Sequence, residues 1–320
     1  MTRFDVFNGD ADGICALIQL RLDEPDQTEL VTGVKRDITL LEQIADQIAA
    51  DDEVLVLDVS LDSNRAALER VLATGAHVRY FDHHFAGELP ESDRLDAQID
   101  TAAETCTCLI VDAALNGRHR LWATVGAFGD NLAPVARRSA ARMALPESDL
   151  LALEDLGIRI NYNGYGTSLE DLHFHPGDLF RRLVSYADPR DVLRDAASPF
   201  PVLDAGYRDD FARADSATVL LDRPAAAAFM LPDESWARRV SGVWGNALAN
   251  DHPDRAHAVV TQEAGVCRIS IRAPLSRRSG ADELARRWPT GGGRAAAAGV
   301  NALPEADLDG FLADFGSHWA

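Results

Sequence analysis

The chain has 320 residues, 47% of them hydrophobic, which allows two ordinary domains with sizeable cores and excludes wholesale disorder. Its formal net charge of -20 works against coating a long polyanion and leaves room for a short phosphorylated ligand held at one site. No apolar run approaches the ~18 residues of a membrane span, and the opening MTRFDVFNGDADG lacks the apolar stretch of a secretory signal, so a cytoplasmic protein with no membrane attachment is expected.

In chain order, residues 3–7 read as a strand running into Asn8-Gly9-Asp10, and residues 14–22 as a helix. Residues 53–59 (EVLVLDV) have the look of a strand buried on both faces. A helix over 62–74 ends at Gly75, and 77–81 is a further strand. Apolar runs follow at 104–115 and 122–128, the second leading into Gly129-Asp130-Asn131. Strands alternating with helices predict an α/β domain around a mostly parallel sheet, with a helical region at 145–195. The small residues and paired prolines near 196–201 predict a linker, drawn over 196–215. Residues 216–320 read as a smaller α/β domain, with strands near 217–221, 256–261 and 266–273 and helices near 236–249, 281–288 and 305–315. The substrate is expected in a cleft between the two domains.

Asp10, Asp58, Asp82 and Asp130 each stand at the end of an apolar run, where open α/β sheets bind ligands. Asp10-Ala11-Asp12-Gly13 puts two carboxylates in a turn that opens a helix, where either could hold a cation or cap the helix. Asp58 follows a buried-looking strand, where an ionised acid needs a cation or a partner. Asp82-His83-His84 combines imidazoles with a carboxylate able to orient them, and Asp130 sits in a Gly-Asp-Asn sequence that also favours a turn. Mixed carboxylate and imidazole donors suit Mn²⁺ or Mg²⁺.

Other features carry less. Cys15, Cys106, Cys108 and Cys267 are too few for a disulfide framework and read as core packing. Lys35 is the only lysine, which reads as a compositional bias toward arginine. His173 and His175 read as a loop feature, and Asn161, Tyr162, Asn163 and Tyr165 as a loop that either stacks a base or packs between the domains.

The ordered motifs VFNGDADGICA, VLDVS, FDHH and AFGDN resemble those of the DHH phosphoesterase superfamily. SIRAP at 270–274 and TGGGRAAAAG at 290–299 resemble its DHHA1 domain. That superfamily includes RecJ-type exonucleases, oligoribonucleases and dinucleotide phosphodiesterases. The resemblance implies a DHH domain over 1–195, a DHHA1 domain over 216–320, and two Mn²⁺ or Mg²⁺ ions. Asp10 and Asp58 would hold one ion, and Asp12, Asp58, His83 and Asp130 the other. His84 would contact the scissile phosphate and Asp82 would support the histidines. Arg272, Arg294 and the amides of Gly291, Gly292 and Gly293 would grip substrate phosphate.

Two departures stand out. Val6 occupies a place where many members carry a histidine ligand for the first ion, leaving Asn8 as a substitute, and Arg294 stands where a histidine is common. The expected function is hydrolysis, by a metal-activated water, of a phosphodiester or phosphomonoester in a small nucleotide or short oligonucleotide. Long nucleic acid is not expected as a partner, and a homodimer is compatible with this reading. The alternatives are a pyrophosphatase or polyphosphatase of the same superfamily and a non-catalytic nucleotide-binding regulator, the latter supported by Val6.

Overall fold

The computed structural model describes residues 1–263 and 265–319. The chain divides into two compact units, Met1–Ala205 and Gly206–Ala320. In the first unit the strands are β1 (Arg3–Phe7), β2 (Glu29–Val31), β3 (Glu53–Leu57), β4 (His77–Asp82) and β5 (Leu95–Ile99). Its helices are α1 (Ala11–Asp23), α2 (Leu61–Thr74), α3 (Thr107–Ala114), α4 (Arg120–Gly129), α5 (Ala133–Ala140), α6 (Glu147–Gly164), α7 (Pro176–Leu183) and α8 (Pro189–Arg194). Helix α9 (Phe200–Ala214) carries the chain across the division. The stretch 196–215, expected as a linker, is thus mostly helix.

Among the described residues the five strands form one sheet, ordered β2-β1-β3-β4-β5 and parallel throughout. The side-chain period of two divides its strands between two apolar layers. Phe4, Val6, Val54, Val56, Val78 and Tyr80 face one layer with α2, through Leu61, Leu68 and Val71. Phe7, Leu55, Leu57 and Phe81 face the other, with Ile14, Leu17 and Ile18 of α1. Burial on both faces explains why the central strands read as nearly unbroken apolar runs. Strands β2 and β5 are short edge strands with mixed composition and escaped the sequence reading.

Residues 122–128, read above as an apolar run ending like a strand, lie in α4, with Trp122, Val125 and Phe128 in the α1 layer. Asp130 therefore follows a helix, and only Asp10, Asp58 and Asp82 stand at strand ends.

In the second unit β6 (Thr218–Arg223), β7 (Ala226–Leu231), β8 (Ala256–Glu263), β9 (Val266–Arg272), β10 (Gly291–Gly293) and β11 (Ala297–Pro304) form a mixed sheet ordered β10-β11-β9-β8-β7-β6. Only β7 and β8 pair in parallel among the described residues. Helices α10 (Ser235–Asp251), α11 (Ala281–Ala285) and α12 (Leu308–His318) accompany it, and Phe311, Phe315 and Leu284 pack with Ile269, Ile271 and Val300 in its core. The run at 295–298, so rich in alanine that it gave no strand signal, leads into β11. No helix among the described residues is long and apolar enough to cross a membrane.

Candidate metal centre

The order β2-β1-β3 reverses direction at β1/β3, and a crevice opens at such a switch point beyond the strands' carboxyl ends. Asp10 follows β1, Asp58 follows β3, and Asp82-His83-His84 ends β4. The topology therefore gathers three of the predicted motifs at one place.

Asp10 realises the capping alternative and more. It is the N-cap of α1, its Oδ1 accepting the amides of Asp12 (2.9 Å) and Gly13 (3.1 Å). Its Oδ2 pairs with the Lys35 ammonium. Burial and Asp130 push the Asp10 carboxyl up, but Lys35 and the Gly13 amide outweigh them and hold it below the usual carboxylate value. Asn8 accepts the Asp10 amide at 3.2 Å and donates to the Lys35 carbonyl at 3.1 Å. Val6 is fully buried among Leu40, Leu41 and Val56 and offers no donor atom.

Asp12 is 1% exposed, and its two oxygens accept the amides of Thr107 and Cys108, each at 2.8 Å. This places a carboxylate at the N-terminus of α3, the favourable end of a helix dipole. Asp130 is placed the opposite way. It is the C-cap of α4, where a carboxylate opposes the dipole at a cost of about 0.3–1 kcal/mol. The Lys35 ammonium, 3.8 Å from Asp130 Oδ1, offsets part of that cost.

Asp58 gives the clearest signal. Its backbone is left-handed (φ 57°), a strained region for a residue with a Cβ. Its buried side chain accepts from the Thr107 hydroxyl at 3.3 Å. Burial, then the neighbouring Asp12 and Asp10 carboxylates, drive its carboxyl well above the usual value, and His84 only partly offsets them.

His83 lies 3.0 Å from the Thr105 carbonyl through Nδ1, which can only be a donor there. Its Nε2 then faces Asp58 Oδ1 at 3.4 Å and Asp12 Oδ2 at 3.8 Å. A cation lying among these three groups would be held by all of them. One donor atom each from Asp12, His83 and Asp130 lie within 4.8 Å of one another, as do those from Asp58, His83 and His84. Each of these two groups of hard oxygen and nitrogen donors, joined through His83, suits a divalent ion of the Mn²⁺ or Mg²⁺ type.

His84 donates through Nδ1 to Asp82 Oδ1 at 2.7 Å, and its side chain is 32% exposed. Asp82 also accepts the His83 amide at 2.8 Å. Burial raises the Asp82 carboxyl, but the His84 and His83 contacts prevail and hold it below the usual value. Asp82 Oδ2 is buried without a hydrogen-bond partner among the described residues.

Lys35 is the residue that sequence reasoning missed. Its scarcity was the only signal, and that was read as composition. Its backbone amide donates to the Gly164 carbonyl at 2.8 Å. A Cβ on Gly9 would stand 1.9 Å from the Gly33 carbonyl, so this glycine lets the 8–10 turn approach the segment that carries Lys35. Of the base-stacking candidates, Asn161, Tyr162 and Asn163 are buried at the end of α6 in the first unit, and Tyr165 is 8% exposed. Asn161 accepts from Lys35 at 3.2 Å, and the ammonium lies 5.4 Å from the Tyr165 ring centroid. His173 bonds the Tyr162 hydroxyl at 2.8 Å, and His175 caps α7, accepting the Gly177 amide at 3.1 Å. All four cysteines are free and buried.

The remaining predicted residues lie in the second unit. Arg272 is held by the Asn246 side chain at 2.6 Å and by the Gly242 and Ile271 carbonyls at 3.2 and 3.1 Å. Gly291, Gly292 and Gly293 form the edge strand β10 paired to β11. Arg294 follows, exposed, its amide donating to Ala297 at 2.8 Å.

No family model matches the chain, and no curated protein matches it in sequence. Solved structures do match. The chain shares its fold with RecJ exonucleases and with a pGpG-specific phosphodiesterase. A RecJ exonuclease bound to manganese is 18% identical, with 97% of this chain and 88% of that one covered at a TM-score of 0.59. RecJ from Thermus thermophilus in complex with Mn²⁺ is 19% identical at a TM-score of 0.63, covering 97% of this chain, which spans 51% of that RecJ chain. A pGpG-specific phosphodiesterase, PggH from Vibrio cholerae, is 14% identical with 99% and 100% covered at a TM-score of 0.54.

Proposed function

We propose that this chain is a metal-dependent phosphoesterase that hydrolyses a phosphodiester or phosphomonoester of a small nucleotide or short oligonucleotide. The observation that carries the reading is the His83 imidazole, locked by the Thr105 carbonyl with Nε2 toward the buried Asp58 and Asp12 carboxylates. Asp12, Asp58, His83 and Asp130 would hold the ion. A divalent cation bound there lowers the pKa of a water and neutralises charge on a phosphoryl group.

The chain's own groups do the rest. Asp82 fixes the His84 ring, whose exposed side can hold a proton against a non-bridging phosphate oxygen or the leaving oxygen. Lys35 sets a permanent positive charge beside Asp10 and Asp130, which favours an anionic substrate at this mouth. The net charge of -20 supports a short substrate over a polymer, as does the fold shared over full length with a phosphodiesterase for pGpG.

The test is hydrolysis of bis(p-nitrophenyl) phosphate, pGpG, short RNA and DNA, and pyrophosphate with Mn²⁺, with a chelator control. Turnover of a nucleotide ester that chelator abolishes is expected. Pyrophosphate as the preferred substrate would move the chain to the pyrophosphatase reading. No turnover across the panel, with nucleotide binding retained, would make it a regulator.

A further inference from the structure

The Lys35 ammonium sits on Asp10, one of the two acids expected to hold a first cation. Both oxygens of Asp10 are engaged, Oδ1 by the helix amides at 2.9 and 3.1 Å and Oδ2 by the Lys35 ammonium. Asn8, the one substitute donor for Val6, has its oxygen on the Asp10 amide at 3.2 Å. Val6 itself lies in an apolar layer. The ammonium is no loose surface charge. Its side chain is 23% exposed, Asn161 accepts from it at 3.2 Å, Asp130 Oδ1 is 3.8 Å away, and the Tyr165 ring lies to one side. The backbone behind it is anchored at both ends, by the Gly164 carbonyl and the Asn8 side-chain amide. A chain with one lysine in 320 residues has set it at the switch point of the sheet.

We propose that Lys35 replaces one of the two cations, so that the chain binds a single divalent ion, through Asp12, Asp58, His83 and Asp130, with Asp10 neutralised by the lysine instead of serving as a ligand. The inference rests on the phosphoesterase reading above. An ion on Asp10 would compete with the ammonium for the same carboxylate oxygen, and Asp10 and Asn8, which would have to turn toward it, are tied to the chain. A lysine charge needs no metal to be present, so this half of the site is filled at any metal concentration. It carries one positive charge where an ion carries two, and its hydrogens can reach a phosphate oxygen directly. The metal dependence of turnover is then that of one ion, with a Hill coefficient of about 1.

The experiment is Mn²⁺ stoichiometry on the full chain, by equilibrium dialysis and electron paramagnetic resonance. Wild type is expected to bind one ion per chain with the six-line signal of isolated Mn²⁺. Asp10→Asn is expected to keep that ion with affinity within about tenfold, well short of the loss expected for a direct ligand. Lys35→Gln is expected to admit a second, weaker ion with the broadened signal of a coupled pair. Two ions per chain in wild type would overturn the inference and leave the phosphoesterase reading standing. So would loss of the ion in Asp10→Asn, and a folded Lys35→Gln protein that still takes only one ion would remove the lysine from the role assigned to it. No ion bound to wild type would remove both readings together. If Lys35→Gln does not fold, the wild-type stoichiometry and the Asp10→Asn comparison decide.

Discussion

The two units bury charge in different ways. In the second unit the buried acid Asp210 is neutralised within its own neighbourhood, where the Arg239 guanidinium donates to both its oxygens at 2.8 and 3.1 Å. In the first unit Asp10, Asp12, Asp58, Asp82 and His83 are all buried around the carboxyl end of one sheet, and the Lys35 ammonium pairs with only one side of that group, at Asp10 and Asp130. A paired buried charge holds a fold at little net gain or cost, whereas several carboxylates crowded into one buried site repel one another and cost stability. The first unit crowds its buried acids at one sheet end, where Asp210 of the second unit has an arginine to itself.

The strongest way to break that comparison is to relieve the crowding. Asp58→Asn keeps the left-handed backbone, which asparagine tolerates, and removes the charge. Activity is expected to fall by at least roughly a hundredfold. Without metal, the same variant is expected to be more stable than wild type by about 1–2 kcal/mol near pH 7 in urea titration. The sign follows from the raised Asp58 carboxyl. Above its unfolded value of about 4 the folded state holds more protons than the unfolded one, so stability falls as pH rises, and the variant lacks this loss. A metal-free variant less stable than wild type would mean that Asp58 is structural.

His257 offers the matching test in the second unit. It is 1% exposed in β8, its Nδ1 lacks a partner among the described residues, and burial, with Arg255 and His252, lowers its pKa to about 4. The unfolded state therefore binds more protons between about pH 4 and 6.5, and stability present above pH 6.5 is lost as pH falls through that window. The full loss is on the order of 3 kcal/mol. His257→Leu should flatten the acid limb of the unfolding curve, and an unchanged limb would assign it to other groups.

Asp82→Asn is expected to lower turnover by about 10–100-fold while the Mn²⁺ ion is retained, because the carboxylate orients His84 and donates nothing to the ion. Loss of the ion would make Asp82 a ligand. The smallest effects concern β10. A Cβ on Gly291 would lie 1.8 Å from the Ala285 carbonyl, so Gly291→Ala should destabilise the second unit, whereas Gly292→Ala meets nothing within 4 Å and should leave melting unchanged. If the β10 backbone contacts substrate as the motif implies, Gly292→Ala raises KM alone. An unchanged KM would leave β10 an ordinary sheet edge.

Much of the first unit was legible because central parallel strands are apolar on both faces and end in buried acids. EVLVLD announced both the strand and the acid at its end. AFGD did not, since a buried helix and a buried strand give the same apolar run, and only the third dimension showed that Asp130 caps α4. Lys35 was opaque for a deeper reason. Its partners Asp10, Asp130 and Asn161 are 25, 95 and 126 residues away, and no local pattern marks a contact made only when the chain has folded. The glycine motif predicted ligand-facing backbone without its conformation, because three glycines are equally consistent with a nest and an edge strand.

The central claim meets its most direct test in the hydrolysis of pGpG by wild type and Asp58→Asn side by side, with Mn²⁺ and with chelator. The account predicts turnover by wild type only with Mn²⁺, and none by a variant that melts as a folded protein. Chelator-insensitive hydrolysis, or an Asp58→Asn enzyme as active as wild type, would contradict it.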